Sequence, residues 1–141
     1  MDTQRAMKRK PAGRPSKGKR HGFLVKLSPE KVGHVQLIAH VTDDRPYGEV
    51  AEAVTADALR VSRDELVTKL STFTPFKGER KPLKFQLPMA QAEVIFDLAT
   101  TTGRTYQDVL EYLLGEGLKQ YDIEEMHAYI AEGQGMLDIA V

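Results

Sequence analysis

The sequence contains one pattern twice, at an interval of 60 residues, and this internal repeat limits the fold more than any other feature. In the first copy Phe23, Val25 and Leu27 alternate with Leu24 and Lys26, which predicts a short strand with one apolar face. The apolar residues of the second copy are Leu83, Phe85 and Leu87, alternating with Lys84 and Gln86. Each copy alone buries too little apolar surface to be stable, so the repeat predicts two motifs that share one core.

Two helices are predicted after each strand. Ser28, Pro29 and Glu30 supply an N-cap, a proline at the first helical position and an early acid, and Pro88 opens the corresponding helix of the second copy. Helical spacing predicts buried residues at matching positions: Val32, Val35, Ile38 and Ala39 in the first copy, and Ala92, Ile95, Leu98 and Ala99 in the second.

The second helix of each copy is predicted to begin at a tyrosine. Tyr47 follows the break at 43–46, and Tyr106 follows Gly103 and a Thr105–Asp108 capping box. The predicted buried residues are Val50, Ala53, Val54 and Ala58, then Val109, Leu113 and Leu118. A third short helix is predicted in each copy, at 62–70 and at 122–130.

A lone strand leaves backbone groups unpaired, so the two strands are expected to pair as an antiparallel ribbon over a four-helix core. The predicted fold is mainly α with a two-stranded antiparallel β-ribbon, with pairing within one chain or between two chains left open. The predicted segments are 1–21, a basic arm; 22–60, the first motif; 61–81, a short helix and linker; 82–120, the second motif; and 121–141, an acidic helix and tail.

Charge is divided unevenly along the chain. Residues 1–26 contain nine Lys or Arg against Asp2 alone, a charge of +8, which leaves −8 on 27–141 because the total is zero. A basic arm on an acidic body is typical of proteins that bind an anionic polymer, and nucleic acid is the first candidate. Around Gly13-Arg14-Pro15 the arm resembles an AT-hook, which implies contacts with the minor groove or the DNA backbone. The arm residues predicted to contact DNA are Lys10, Arg14, Lys17, Lys19 and Arg20.

Composition argues against several other classes. Without cysteine there are no disulfides, thiolate zinc sites or cysteine nucleophiles, and no apolar run reaches the length of a membrane span. The four histidines are scattered and no phosphate-binding glycine loop follows a strand, so no enzyme, cofactor, metal or small-molecule substrate is predicted. We expect a cytoplasmic protein associated with the nucleoid.

The order strand, capped helix, turn, capped helix resembles the ribbon-helix-helix family of DNA-binding proteins, and two motifs in one chain resemble TraY-type members. The resemblance implies an intrachain pseudodimer whose ribbon enters the DNA major groove. It implies base reading by the outward strand residues Leu24, Lys26, Lys84 and Gln86. Lys can donate to guanine and Gln can bridge adenine, while Leu24, where the family usually has a polar residue, can pack on a thymine methyl.

The resemblance also implies phosphate binding at the N-terminus of each second helix, where free N–H groups and the helix dipole favour an anion. The residues at these positions are Arg45, Tyr47, Gly48, Arg104, Thr105 and Tyr106. Because the two copies differ, an asymmetric half-site is expected.

The function predicted from these patterns is sequence-specific binding of double-stranded DNA by a transcriptional regulator, most simply a repressor. A plasmid transfer (relaxosome) or partition accessory protein would need the same ribbon. An antitoxin-like interaction module is the alternative from another class, because 122–141 holds five acids, no Lys or Arg, and apolar residues at helical spacing. The same segment is a candidate for self-association.

Overall fold

A computed structural model describes residues 18–131, apart from the side chains of Tyr129 and Ala131. The described chain is mainly helical with one two-stranded antiparallel sheet, as predicted. The elements are β1 (Arg20–Leu27), α1 (Pro29–Val41), α2 (Tyr47–Ala58), α3 (Arg63–Ser71), β2 (Lys81–Pro88), α4 (Met89–Thr102), α5 (Tyr106–Leu118) and α6 (Ile123–Ala131).

The two strands pair with each other within the chain, and their register follows the repeat. Leu24 pairs with Lys84, which is its own counterpart 60 residues later. The counterpart of Gly22 is Pro82, and that of Lys26 is Gln86. In the ribbon these partners are swapped, because Gly22 pairs with Gln86 and Lys26 pairs with Pro82. The centre of the ribbon therefore lies at Leu24 and Lys84.

The core lies under the ribbon and between the helices. The inward strand residues are all buried, as the alternation predicted: Phe23, Val25, Leu27, Leu83, Phe85 and Leu87. The residues predicted to be buried on α1, α2, α4 and α5 are also buried, except that Ala53 is half-buried. The structure adds Leu110, Leu114 and Met126 to the same cluster.

Caps confirm the predicted start of α1, the predicted end of α4 and the predicted start of α5. The Ser28 hydroxyl accepts a hydrogen bond from the Lys31 N–H at the start of α1, and Gly103 ends α4 in the left-handed conformation, with φ of 71°. Thr105 accepts from the Asp108 N–H at the start of α5. Pro88 is the last residue of β2, and α4 begins one residue later than the proline suggested.

An ion pair repeats with the motif. Arg20 at the start of β1 binds Glu52 on α2, and Arg80, just before β2, binds Glu111 on α5 at 2.8 Å. The Glu111 carboxylate is buried and also accepts the N–H of Phe76, so it holds the linker before β2 against α5. Removing either partner of such a buried pair would leave an uncompensated charge. β1 thus begins at Arg20, two residues before the predicted boundary.

The third helices predicted in each copy are present. α3 packs on α4, where Arg63 binds Asp97 at 2.8 Å, and α6 packs on α1 through Met126, which is buried. The helix α6 therefore packs on the protein's own core at Met126.

The helices α5 and α2 cross closely at Gly117 of α5. A Cβ atom at this position would lie 2.4 Å from the Val54 carbonyl oxygen on α2, a distance that no real contact allows. Two residues earlier, a Cβ at Gly115 would meet only the flexible end of the Lys31 side chain, at 3.0 Å. Gly117 is therefore required for α2 and α5 to cross, whereas Gly115 is not.

We expect Gly117→Ala to lower the free energy of unfolding by about 1–3 kcal/mol, because overpacking outweighs the gain in helix propensity. Gly115→Ala is the matched control, since it makes the same chemical change in the same helix and should leave stability equal or raise it by up to about 1 kcal/mol. Urea unfolding of both variants is the measurement. Equal stability of the two variants would contradict the close crossing of α2 and α5.

Candidate nucleic-acid interface

The outer face of the ribbon is formed by alternate residues of both strands. All six are exposed: Gly22, Leu24 and Lys26 on β1, and Pro82, Lys84 and Gln86 on β2. The four residues predicted to read bases therefore lie together on one face. No helix of residues 18–131 covers that face, which leaves it open to a partner.

The outer face is cationic and rich in hydrogen-bond donors. Lys26 and Lys84 supply two ammonium groups and Gln86 an amide, and neither strand contains an acidic residue. Leu24 differs from these polar residues, since it is a large apolar side chain with 52% of its surface exposed. A face of this kind suits a polyanion that also presents hydrogen-bond acceptors.

The backbone of the outer-face residues points to the edges of the ribbon. The Lys26 N–H donates to Gln107 and not to Pro82, the residue opposite it on β2. Lys26 and Pro82 are therefore a non-hydrogen-bonded pair of the ladder. Pro82 therefore costs the ribbon no hydrogen bond. Side chains of such pairs lie closest together, so the outer face is narrow and continuous.

The two edges of the ribbon are closed differently. At the β1 edge, the Gln107 amide on α5 accepts the Lys26 N–H at 2.8 Å and donates to the Lys26 carbonyl at 2.7 Å. The counterpart of Gln107 is Gly48 on α2, which has no side chain to place on Gln86 of β2. A hollow of about 200 Å³ lies there instead, lined by Arg20, Pro46, Gly48, Glu49, Glu52, Phe85 and Gln86.

The predicted phosphate-binding helix ends lie on the two sides of the ribbon. Gly48 lies beside β2, where a Cβ would be 3.4 Å from the Lys84 carbonyl oxygen, and Tyr106 packs its ring against Phe23 of β1. Tyr47 and Tyr106 are each about half-exposed. The N-cap of α2, Pro46, makes no side-chain cap, whereas Thr105 caps α5. In both helices the third N–H is already bonded, because Glu49 donates to the Pro46 carbonyl just as Asp108 donates to the Thr105 hydroxyl.

The Arg104 side chain, predicted to bind phosphate, has partners within the protein. Its guanidinium donates to the carbonyl oxygens of Leu70 at 3.0 Å and Phe73, and it also contacts Asp108, so it ties the end of α3 to α5. Its counterpart Arg45 is half-buried and lines a small hollow with Tyr121 on the side of the helices. We leave Arg104 out of the proposed contact set for this reason.

The predicted arm falls only in part on described residues. Lys10, Arg14 and Lys17 lie outside the described residues. Lys19 is exposed, and its carbonyl accepts the Met89 N–H at the end of the ribbon. Arg20 belongs to β1 and binds Glu52, so it lies in the folded part of the chain, and its contact with DNA stays a prediction.

Sequence reasoning missed two kinds of residue at this site. Gly22 and Pro82 complete the outer face, and extending the two-residue alternation by one step in each strand would have included them. Gln107 was missed because its role depends on a contact between residues 81 positions apart. A polar residue in the first turn of a helix gives no sign of such a contact.

The groups with shifted pKa values lie among the helices rather than on the ribbon. Burial lowers the pKa of His34, whose Nε2 donates to the Tyr121 carbonyl at 2.8 Å. The hydrogen bond from Arg63 lowers the pKa of Asp97. The first contact joins α1 to the residues just before α6, and the second joins α3 to α4. Among residues 18–131, no cluster of three or more His, Asp or Glu could hold a metal ion, and no helix could span a membrane.

Comparison with known proteins gives no match: no family model, curated protein or solved structure is similar to this chain.

The open β2 edge predicts a stabilising substitution. Gly48→Gln should raise the free energy of unfolding by about 1–2 kcal/mol, because it adds helix propensity and gives Gln86 the edge contact that Gln107 gives Lys26. Gly48→Ala is the control, since it adds the propensity without the amide. Thermal unfolding of both variants is the measurement, and a glutamine variant no more stable than the alanine variant would show that the two edges are not equivalent.

Proposed function

We propose that this protein is a tandem ribbon-helix-helix protein that binds double-stranded DNA in a sequence-specific manner. In this proposal the two copies form an intrachain pseudodimer, and the ribbon enters the major groove with its outer face toward the bases. The observation that carries the proposal is the register, because pairing about Leu24 and Lys84 puts all four predicted base-reading residues on one exposed face.

The packing around the ribbon supports a pseudodimer. The second helix of each copy lies against the strand of the other copy, α2 beside β2 and α5 beside β1. The arginines of the two repeated ion pairs also contact the strand of the other copy. Arg20 donates to the Gln86 carbonyl of β2, and Arg80 donates to the Lys26 carbonyl of β1. Two identical subunits would make reciprocal contacts of this kind.

The chemistry of the outer face supports DNA as the partner. A two-stranded ribbon fits the major groove, where lysine can donate to guanine O6 and N7 and glutamine can bridge adenine N6 and N7. The helix α2 begins at Tyr47 beside β2, and α5 begins at Tyr106 beside β1. In this proposal the N–H groups of Tyr47, Gly48 and Tyr106 bind phosphates. The contacts at the helix ends would set the register of the complex, and the ribbon would supply specificity.

The biological role proposed is transcriptional regulation, with repression of a promoter as the simplest form, in the nucleoid of the cytoplasm. A plasmid transfer or partition protein would use the same surface, and the position of the bound site in the genome distinguishes these roles. The antitoxin-like alternative is less favoured, because α6 buries Met126 in the protein's own core instead of presenting it to a partner.

The proposal predicts that Lys84→Ala combined with Gln86→Ala abolishes sequence-specific binding without unfolding the protein. Each lost base contact should cost about 1–3 kcal/mol of discrimination, while binding to unrelated DNA persists through phosphate contacts. Fluorescence anisotropy on DNA flanking the gene, with and without competitor DNA, is the measurement.

The matched control for this experiment is Lys69→Ala with Gln120→Ala, which removes the same two side-chain types at exposed positions away from the ribbon. The control variant should retain the sequence preference of the original protein. If the ribbon variant also retains it, the ribbon is not the surface that reads DNA.

A further inference from the structure

We propose that Leu24 makes recognition depend on a pyrimidine C5-methyl group at the centre of the DNA site, carried by thymine or by 5-methylcytosine. This inference rests on the proposed function, since it concerns the same ribbon face. It goes further by assigning the central contact to a chemical group and by giving the site a direction.

The position of Leu24 follows from the register. Leu24 and Lys84 are counterparts in the repeat and directly opposed in the ribbon, so they occupy the place where a dimer of identical subunits has one residue facing its own copy. Here that place holds one apolar and one cationic side chain. The two halves of the central contact must therefore read different chemical groups.

The surroundings of Leu24 favour an apolar group on the DNA. The side chain is 52% exposed on a face whose other side chains are two ammonium groups, an amide and the Pro82 ring. Beside it, Gly22 has no side chain, and a hollow of about 460 Å³ extends over the ribbon there. Gly22, Phe23, Leu24, Lys84, Phe85 and Gln86 line the hollow. On the edges of the bases in the major groove, the C5-methyl group is the apolar feature among hydrogen-bonding groups.

The opposing Lys84 limits where the methyl group lies. Side chains opposed across an antiparallel pair have Cβ atoms about 5 Å apart, close to the spacing of one or two base pairs. If Lys84 donates to a guanine, the methylated pyrimidine lies within about that distance of it. Gln86 and Lys26 then extend the contacts in opposite directions from the centre, so the site cannot be a palindrome.

The test begins with selection of bound duplexes from a random-sequence DNA pool by the unmodified protein. In the selected duplex, each thymine is replaced in turn by uracil, and each cytosine in turn by 5-methylcytosine. Both changes leave base pairing intact and alter one methyl group. If the central pyrimidine is thymine, we expect uracil at that position to weaken binding about fourfold, the equivalent of one buried methyl group. If it is cytosine, methylation should strengthen binding by a similar factor.

The second part of the test changes the protein, with the variant Leu24→Ala. This variant should bind the selected duplex more weakly and should lose the response to the central methyl group. Val94→Ala is the control, because Val94 is an apolar residue on α4 with 39% exposure, away from the ribbon face. The control should respond to the methyl group as the original protein does.

Two results would overturn the inference while leaving DNA binding intact. One is a selected duplex that binds with equal affinity whether or not any single methyl group is present. The other is a Leu24→Ala variant that still responds to the methyl group. Failure to select any sequence over the random pool would be a different result, because it would remove the proposed function and this inference with it.

Discussion

The pairing of β1 with β2 is the interaction on which the rest of the structure depends. Neither strand has another strand to bond with among the described residues, and each alone would leave its apolar face exposed. When they pair, six apolar side chains turn toward the helices. Arg20 at the start of β1 and Arg80 just before β2 then reach carboxylates on α2 and α5. The exposed face is a result of the same pairing, so the core and the candidate site have one cause.

The two copies have the same architecture but differ where they would meet a partner. At the ribbon centre Leu24 opposes Lys84, and at the ribbon edges Gln107 closes one side while Gly48 leaves the other open. A single chain allows such differences, because two fused copies can diverge separately, whereas identical subunits cannot. The buried positions keep the same spacing in the two copies, while side chains differ on the ribbon, at the helix ends beside it and on the helix surfaces.

Local signals in the sequence predicted most of the fold. Alternation predicted which strand residues are buried, and the caps at Ser28 and Thr105 predicted helix starts, because these effects act over a few residues. Contacts between distant residues could not be predicted in this way. The buried Glu111 with Arg80, the Gln107 amide on β1 and the tight crossing at Gly117 depend on how the elements pack. The same limit explains why the internal partners of Arg20 and Arg104 were not predicted, since a charged residue near a turn gives no indication of whether an internal partner will engage it.

Intrachain pairing in the register that places Leu24 opposite Lys84 can be measured directly, because the chain contains no cysteine. In the double variant Leu24→Cys, Lys84→Cys, the opposed Cα atoms of a non-hydrogen-bonded pair should be about 4.5 Å apart, within the range of a disulfide. Intact mass and non-reducing electrophoresis after oxidation at low concentration should show a monomer with one internal disulfide, stabilised by about 4 kcal/mol. Disulfide-linked dimers, or free thiols in a folded protein, would contradict the pairing and everything derived from it.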